Sequence, residues 1–252
     1  MEVFDRTHKC SLLPATLVTV NVAVYVLLFM AWTFDHDSSL IASGAPSAAD
    51  AIVDALALPS SFTAWLHRPW TAITYMFTQF SWWHLAGNMI VLYLFAMIAD
   101  RVAGRSFALT VYLGGGLAAA MLYLLLGVLG AASGVLVGSS ASVMAMMGAV
   151  LVLRPSLRFP LGKFGSPRAV WIICSLVLLD LLGIFSGNVA AHFCHLAGFG
   201  SGCACAAVLR HRRHSGLDTA DLTAVLEKVK RSGFSSLDEH ERNTLFIKTK
   251  ND

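Results

Sequence analysis

Three polar clusters interrupt otherwise apolar stretches, and together they hold the parts of a nucleophilic catalyst. His84 and Asn88 stand four apart at the start of one apolar run, which puts them on one helix face. Gly138-Ser139-Ser140-Ala141-Ser142 opens a second run. His192 and His195 open a third, inside Ala190-Ala191-His192-Phe193-Cys194-His195-Leu196-Ala197-Gly198. Serine with histidine is the smallest set for covalent hydrolysis: the imidazole takes the hydroxyl proton during attack and returns one to the leaving amine. The oxyanion that forms needs donors already aimed at it. The Asn88 amide and the His84 imidazole are candidates, as is the Ser140 backbone N–H at a helix start, where amides have no intrahelical partner. No acidic residue lies in these three runs, so the expected chemistry is a Ser-His dyad with no orienting carboxylate. The same residue types also act as interhelical hydrogen-bonding groups, and both readings stand at this point. A metal site from His192, Cys194 and His195 has the right ligand types. No carboxylate or further well-spaced ligand accompanies them, however, and neither a metal nor another cofactor is expected.

The elements that must position these groups are membrane helices. Of the 252 residues 56% are hydrophobic and only 13% charged, against about 25% charged in a soluble domain. The charges are excluded from long windows and gathered between them. Six runs emerge: Leu13–Phe34, Trp82–Ile98, Phe107–Leu129, Ser140–Leu153, Ala169–Ile184 and Val189–Leu209. The fourth and fifth are short against the roughly 20 residues needed to cross hydrocarbon. The expected fold is an all-α membrane protein, a six-transmembrane-helix bundle. Its long first connection carries a short helix within Ala48–Leu58, near the interface. Eleven lysines and arginines fall on one side: Arg6, Lys9, Arg101, Arg105, Arg154, Arg158, Lys163, Arg168, Arg210, Arg212 and Arg213. Arg68 stands alone on the other. That bias places both termini in the cytoplasm, in agreement with an even span count.

With that topology the second, fourth and sixth spans all run inward. The three polar clusters therefore share one depth, within a turn or two of the outer helix ends. Ala141, Ala145 and Gly148 form a small-residue stripe on the fourth span, and Gly198 and Gly202 form a GxxxG pair on the sixth. Such stripes let helix backbones approach closely, which would bring an imidazole near a hydroxyl.

The remainder of the chain is plainer. A net charge of +3 without a basic, aromatic-interleaved patch gives no case for nucleic acid. The five cysteines follow no zinc or disulfide spacing, and no cleavable signal peptide is evident. The expected organisation is a cytoplasmic segment 1–12, a membrane domain 13–210, and a cytoplasmic helical tail 211–252. In the tail, a helix over Asp221–Lys230 ends at Ser232-Gly233. Ser236 and Glu239 then have capping-box spacing ahead of a second short helix. The tail reads as a helical hairpin, or alternatively as a docking module for a cytoplasmic partner.

The clusters resemble, in order and separation, the motifs of the rhomboid family of intramembrane serine proteases. The resemblance covers about residues 10–210. The family's H-x-x-x-N is matched by His84-Leu85-Ala86-Gly87-Asn88, and its G-x-S-G by Gly138-Ser139-Ser140-Ala141. Its A-H-x-x-G-x-x-x-G is matched by Cys194-His195-Leu196-Ala197-Gly198 and ends at Gly202. Arg68-Pro69-Trp70 and the residues after it look like the family's approach to the second span. The resemblance selects Ser140 as nucleophile and His195 as general base and acid, with His84, Asn88 and the Ser140 N–H binding the oxyanion. It implies that Gly138, Ala141, Met144, Gly198 and Gly202 pack around the site. Ala141 stands where the family has glycine, and Met144 where it often has an aromatic ring. The implied activity is cleavage of transmembrane protein substrates in or near their membrane helices. The implied location is a bacterial inner (cell) membrane, among its lipids, with the site toward the outer face. The alternative is an inactive rhomboid-like protein that binds transmembrane helices as a chaperone or scaffold.

Overall fold

The computed structural model describes residues 11–37, 47–159, 165–183, 189–215, 219–239, 241–242 and 245, with side chains left out at 36–37 and 213–222. The expected charges at Arg6, Lys9 and Lys163, and the end of the fifth run at Ile184, lie outside the described residues. The chain is mostly helical and divides into two compact units, Met1–Ala206 and Ala207–Asp252.

In the first unit, helices occupy all six apolar runs: α1 (Leu13–Asp37), α5 (Trp82–Ala103), α6 (Arg105–Val128), α7 (Ser140–Leu153), α8 (Ala169–Gly183) and α9, which begins at Val189 and continues to Ser215. Four of them (α1, α5, α6 and α9) are long and apolar enough to cross a membrane. With 14 and 15 residues, α7 and α8 are about 21 and 22 Å long, short of a hydrocarbon layer of about 30 Å. The two short helices have different surroundings. From Ala141 to Val150 every residue of α7 is buried, as expected of a helix apolar on all sides and wrapped by others. On α8, Trp171, Leu178, Leu179 and Leu182 are exposed, as are Leu27, Phe29, Trp32 and Phe34 on α1. Apolar surface facing outward on this scale suits lipid, not water.

The connection after α1 is described from Ser47 onward. It holds α2 (Ala48–Leu56), β1 (Leu58–Pro59), α3 (Phe62–His67), α4 (Thr71–Thr74) and a 3₁₀ turn at Tyr75–Phe77. The Asp35 carboxylate accepts the first amides of α2, from Ala48 at 2.9 Å and Ala49 at 2.8 Å. Arg68 pairs with Asp54, and the Trp70 indole donates to the Ala55 carbonyl at 2.9 Å. These contacts tie the far end of the connection back to α2. One feature departs from an all-helical expectation: β1 pairs antiparallel with β2 (Val135–Leu136), Leu58 opposite Leu136. Two residues per strand are too few to leave an alternation signal in sequence.

In the second unit, α10 (Thr219–Ser232) ends at Gly233, whose φ of 79° suits glycine. A 3₁₀ turn at Phe234–Ser236 follows. The capping box lies two residues beyond the expected pair. The Asp238 carboxylate accepts from the Glu241 N–H at 2.8 Å, and Glu241 accepts from the Asp238 N–H at 2.9 Å. Asp238 caps in place of Ser236 because the 3₁₀ turn consumes the serine, whose hydroxyl donates to the Gly233 carbonyl. Lys228 donates to both Glu241 oxygens at 2.7 and 2.8 Å, and this bond holds the Glu241 carboxyl below its ordinary pKa.

Candidate active site

The approach to Ser140 is fixed by backbone. After β2 the chain reaches Gly138 at φ 115°, a conformation side chains rarely adopt. Its N–H donates to the Tyr75 carbonyl at 2.9 Å, and the Tyr75 hydroxyl donates to the Gly116 carbonyl at 2.7 Å. The turn is thereby anchored to the first connection and to α6. Ser139 is the N-cap of α7 and Ser140 its first residue, so the Ser140 N–H is among the amides without an intrahelical acceptor.

Glycines on α9 then set the distance to α7. A Cβ at Gly198 would lie 2.2 Å from the Ala141 carbonyl oxygen, and one at Gly202 would lie 1.9 Å from that of Ala145. On the α7 side, a Cβ at Gly148 would lie 2.4 Å from the Phe199 carbonyl oxygen. The two backbones are in contact along about two turns of α7. Ala141 and Met144, both buried, belong to that first stretch of α7.

At this separation the Ser140 hydroxyl and His195 Nε2 are 2.6 Å apart. On the ring's other side, His195 Nδ1 lies 2.6 Å from Asp180 Oδ1. An ionised carboxylate only accepts, so Nδ1 carries the ring proton and Nε2 presents its lone pair to Ser140. That is the tautomer a general base requires. Asp180 comes from α8, and the expectation of a site without a carboxylate is therefore corrected. The three runs holding the clusters contain no acid, but the fifth supplies one across the α8–α9 hairpin. His192 Nδ1 donates to the same Oδ1 at 2.8 Å. The side chains of Asp180, His192 and His195 are 11%, 18% and 20% exposed, which leaves them shielded yet reachable.

Ser140, His195, His192, His84, Gly138 and Tyr75 are among the residues lining a cavity of about 300 Å³. His84 sits beside the Gly138 turn, its Nε2 3.7 Å from where a Gly138 Cβ would be. Asn88 is placed differently. Its amide donates to Gln79 Oε1 at 3.1 Å, and it is not among the cavity's lining residues. Gln79 donates in turn to Ser139 Oγ at 3.1 Å and Asn21 Oδ1 at 3.2 Å. Asp180 and Gln79 are thus two polar residues at the site that the sequence motifs did not point to.

A serine hydroxyl bonded to an imidazole and a first-turn amide on one cavity agree with a family-level finding. The Rhomboid domain model matches residues 66–212. The chain belongs to the rhomboid family. No curated protein matches it. The matched stretch runs from Leu66 through the approach to α5 and on into α9, so it contains every cluster described above. Rhomboid membership and the apolar helices make this an integral membrane protein of a family whose members are generally serine intramembrane proteases.

Proposed function

We propose that this rhomboid is an active intramembrane serine endopeptidase that cleaves substrate proteins in or near their transmembrane helices. The observation that carries the proposal is the continuous chain from the Ser140 hydroxyl through His195 to the Asp180 carboxylate. Ser140 Oγ attacks the scissile carbonyl carbon while His195 Nε2 takes its proton. The imidazolium that results is held by Asp180. The oxyanion is bound by the Ser140 N–H and by His84, and by Asn88 once its amide turns from Gln79. His195 then protonates the leaving amine, and a water molecule entering the cavity hydrolyses the acyl-enzyme with His195 again as base.

All six apolar helices act as membrane elements in this reading, with α7 and α8 accommodated within a bundle whose termini face the cytoplasm. Three inward-running helices then bring the site near the outer face of a cell membrane. Residues 211–252 form a cytoplasmic tail. Detergent-solubilised protein should cleave a transmembrane reporter, and a fluorophosphonate probe should label Ser140. Both should vanish in Ser140→Ala, and labelling should also vanish in His195→Ala. Cleavage undiminished by Ser140→Ala would refute the proposal. Reporter binding that never yields product would leave the helix-binding scaffold instead.

A further inference from the structure

His192 has no part in the chemistry just proposed, yet its ring is bonded to Asp180 and packed on α8. A Cβ at Gly183 would lie 2.3 Å from His192 Cε1, so the ring rests directly on the last turn of α8. The rings of His192 and His195 stand at 87° with centroids 5.9 Å apart, and both direct Nδ1 at Asp180. Ligand atoms of Asp180, His192 and His195 all lie within 4.8 Å of one another. The second carboxylate oxygen, Asp180 Oδ2, is buried and has no hydrogen-bond partner among the described residues. Two protons shared by one oxygen, with the other oxygen idle, satisfy this carboxylate poorly.

We propose that Asp180, His192 and His195 form a binding site for a divalent cation of the zinc class, and that the bound ion switches off His195 as a base. Two imidazoles with one carboxylate suit zinc better than calcium or magnesium. Three protein ligands with an open fourth position is a common zinc arrangement. Here the cavity that His192 and His195 line gives a water access to that position. Ligand atoms around a tetrahedral zinc lie about 3.3 Å apart. The present 2.6 and 2.8 Å separations would have to open by roughly 0.5–0.7 Å, within reach of small side-chain rotations. Oδ2 would then gain a partner.

The consequence for Ser140 follows from proton placement. A neutral imidazole has one N–H. With the proton on Nδ1, His195 Nε2 accepts from the Ser140 hydroxyl. With zinc on Nδ1, that proton moves to Nε2, which then donates to Ser140 Oγ and has no lone pair left for its proton. The displaced Nδ1 proton of His192 moves likewise to its own Nε2, so two nitrogen–zinc bonds form with no net proton release. Zinc and general-base catalysis exclude each other at one ring. This half of the proposal rests on the peptidase reading; the cation site itself does not.

The test is therefore divided. Full-length Ser140→Ala protein in detergent, which has no activity to lose, is titrated with Zn²⁺ by calorimetry. One ion should bind per chain. Adding His192→Gln or Asp180→Asn should weaken binding at least about tenfold, since loss even of a ligand's supporting partner costs roughly 10–100-fold. In the unsubstituted protein Zn²⁺ should shield His192 from diethylpyrocarbonate, mapped by mass spectrometry, a readout that survives if either variant fails to fold. Cleavage of the reporter should fall about 100-fold or more at saturating Zn²⁺ and recover on chelation. In His192→Gln, measured against its own zinc-free rate, inhibition should need at least about tenfold more Zn²⁺. Equal zinc affinity with and without His192 together with no shielding of His192 would overturn the site. Zinc bound at the site without loss of cleavage would overturn the switch alone. Zinc binding as described in a protein that cleaves nothing even without zinc would uphold the site and remove the peptidase reading.

Discussion

Ser139 and Ser140 are neighbours of one residue type, and their hydroxyls enter two different polar networks, the first largely buried and the second partly open. Ser139 joins a set of neutral groups. Gln79 bridges Ser139, Asn21 and Asn88, and Asn21 donates to the Leu17 carbonyl at 2.9 Å and the Tyr112 hydroxyl at 3.3 Å. The Tyr112 hydroxyl in turn donates to the Met76 carbonyl at 3.3 Å. Ser140 joins the titratable set of His195, His192 and Asp180, which opens on the cavity and leaves Oδ2 unpartnered. The first network ties α1, the first connection, α5, α6 and α7 into one body, as closed polar networks do in a low dielectric. The second keeps a lone pair, a proton and an oxygen in reserve. A helix start separates successive side chains by about 100°, which is enough to send one serine to architecture and the next to chemistry.

The most severe break in this comparison is Ser140→Ala. It should leave the neutral network and the fold intact while reducing reporter cleavage roughly 10⁴-fold or more, with the thermal unfolding midpoint in detergent barely moved. Asp180→Asn comes next. The amide that replaces the carboxylate can donate to His195 Nδ1 and so favour the wrong tautomer, and kcat should fall by about 10²–10⁴-fold with KM little changed. If Asp180→Asn cleaves at the wild-type rate, the carboxylate is packing and the dyad expectation returns. His84→Ala removes one oxyanion donor and should reduce kcat by roughly 10²-fold, again without loss of stability.

The two networks also differ in how legible they were. Long apolar runs reveal α1, α5, α6 and α9 without any periodicity argument, because lipid asks only for length and apolarity. The histidines and serines announce themselves as costly groups within such runs. Asp180 obeys the same rule, being the one acid in a fifteen-residue apolar helix, but its helix is not one of the inward-running spans that carry the polar clusters. A hairpin partner can reach the same depth from the opposite direction, and the lone acid was the available signal. Gln79 carried no such signal. It precedes α5 in a connection, where a glutamine is unremarkable in sequence, and only the close packing of five elements makes it a hub. The α7–α9 contact was suggested by spacing of small residues; its closeness, with carbonyls where Cβ atoms would be, depends on the crossing geometry.

The neutral network supplies the smaller effects. Gln79→Leu strands the Asn88 amide and removes a donor from both Asn21 and Ser139. A buried group left unsatisfied costs about 1–3 kcal/mol, so the unfolding midpoint should drop by several degrees while cleavage per folded molecule falls far less than in Asp180→Asn. A fall as large as that of Asp180→Asn would mean that Gln79 holds Asn88 for catalysis and that the two networks are one.

Ser139→Ala is the mildest substitution and the sharpest for the comparison. Its hydroxyl accepts one bond from Gln79 Nε2, and that nitrogen keeps its bond to Asn21 Oδ1. The amide's other N–H loses its acceptor in a buried site, and the loss should be about 1 kcal/mol, the low end for one unsatisfied buried donor. As N-cap of α7, Ser139 makes no side-chain bond to the helix, so no capping contribution is lost with it. Cleavage should stay within about twofold of wild type, since that penalty falls on the folded state and is shared by ground and transition states. Ser140→Ala, one residue on, should show the reverse: normal stability and no turnover. If both alanines cost activity equally, α7 presents its two serines to a common site, and the separation between architecture and chemistry at this helix start is lost.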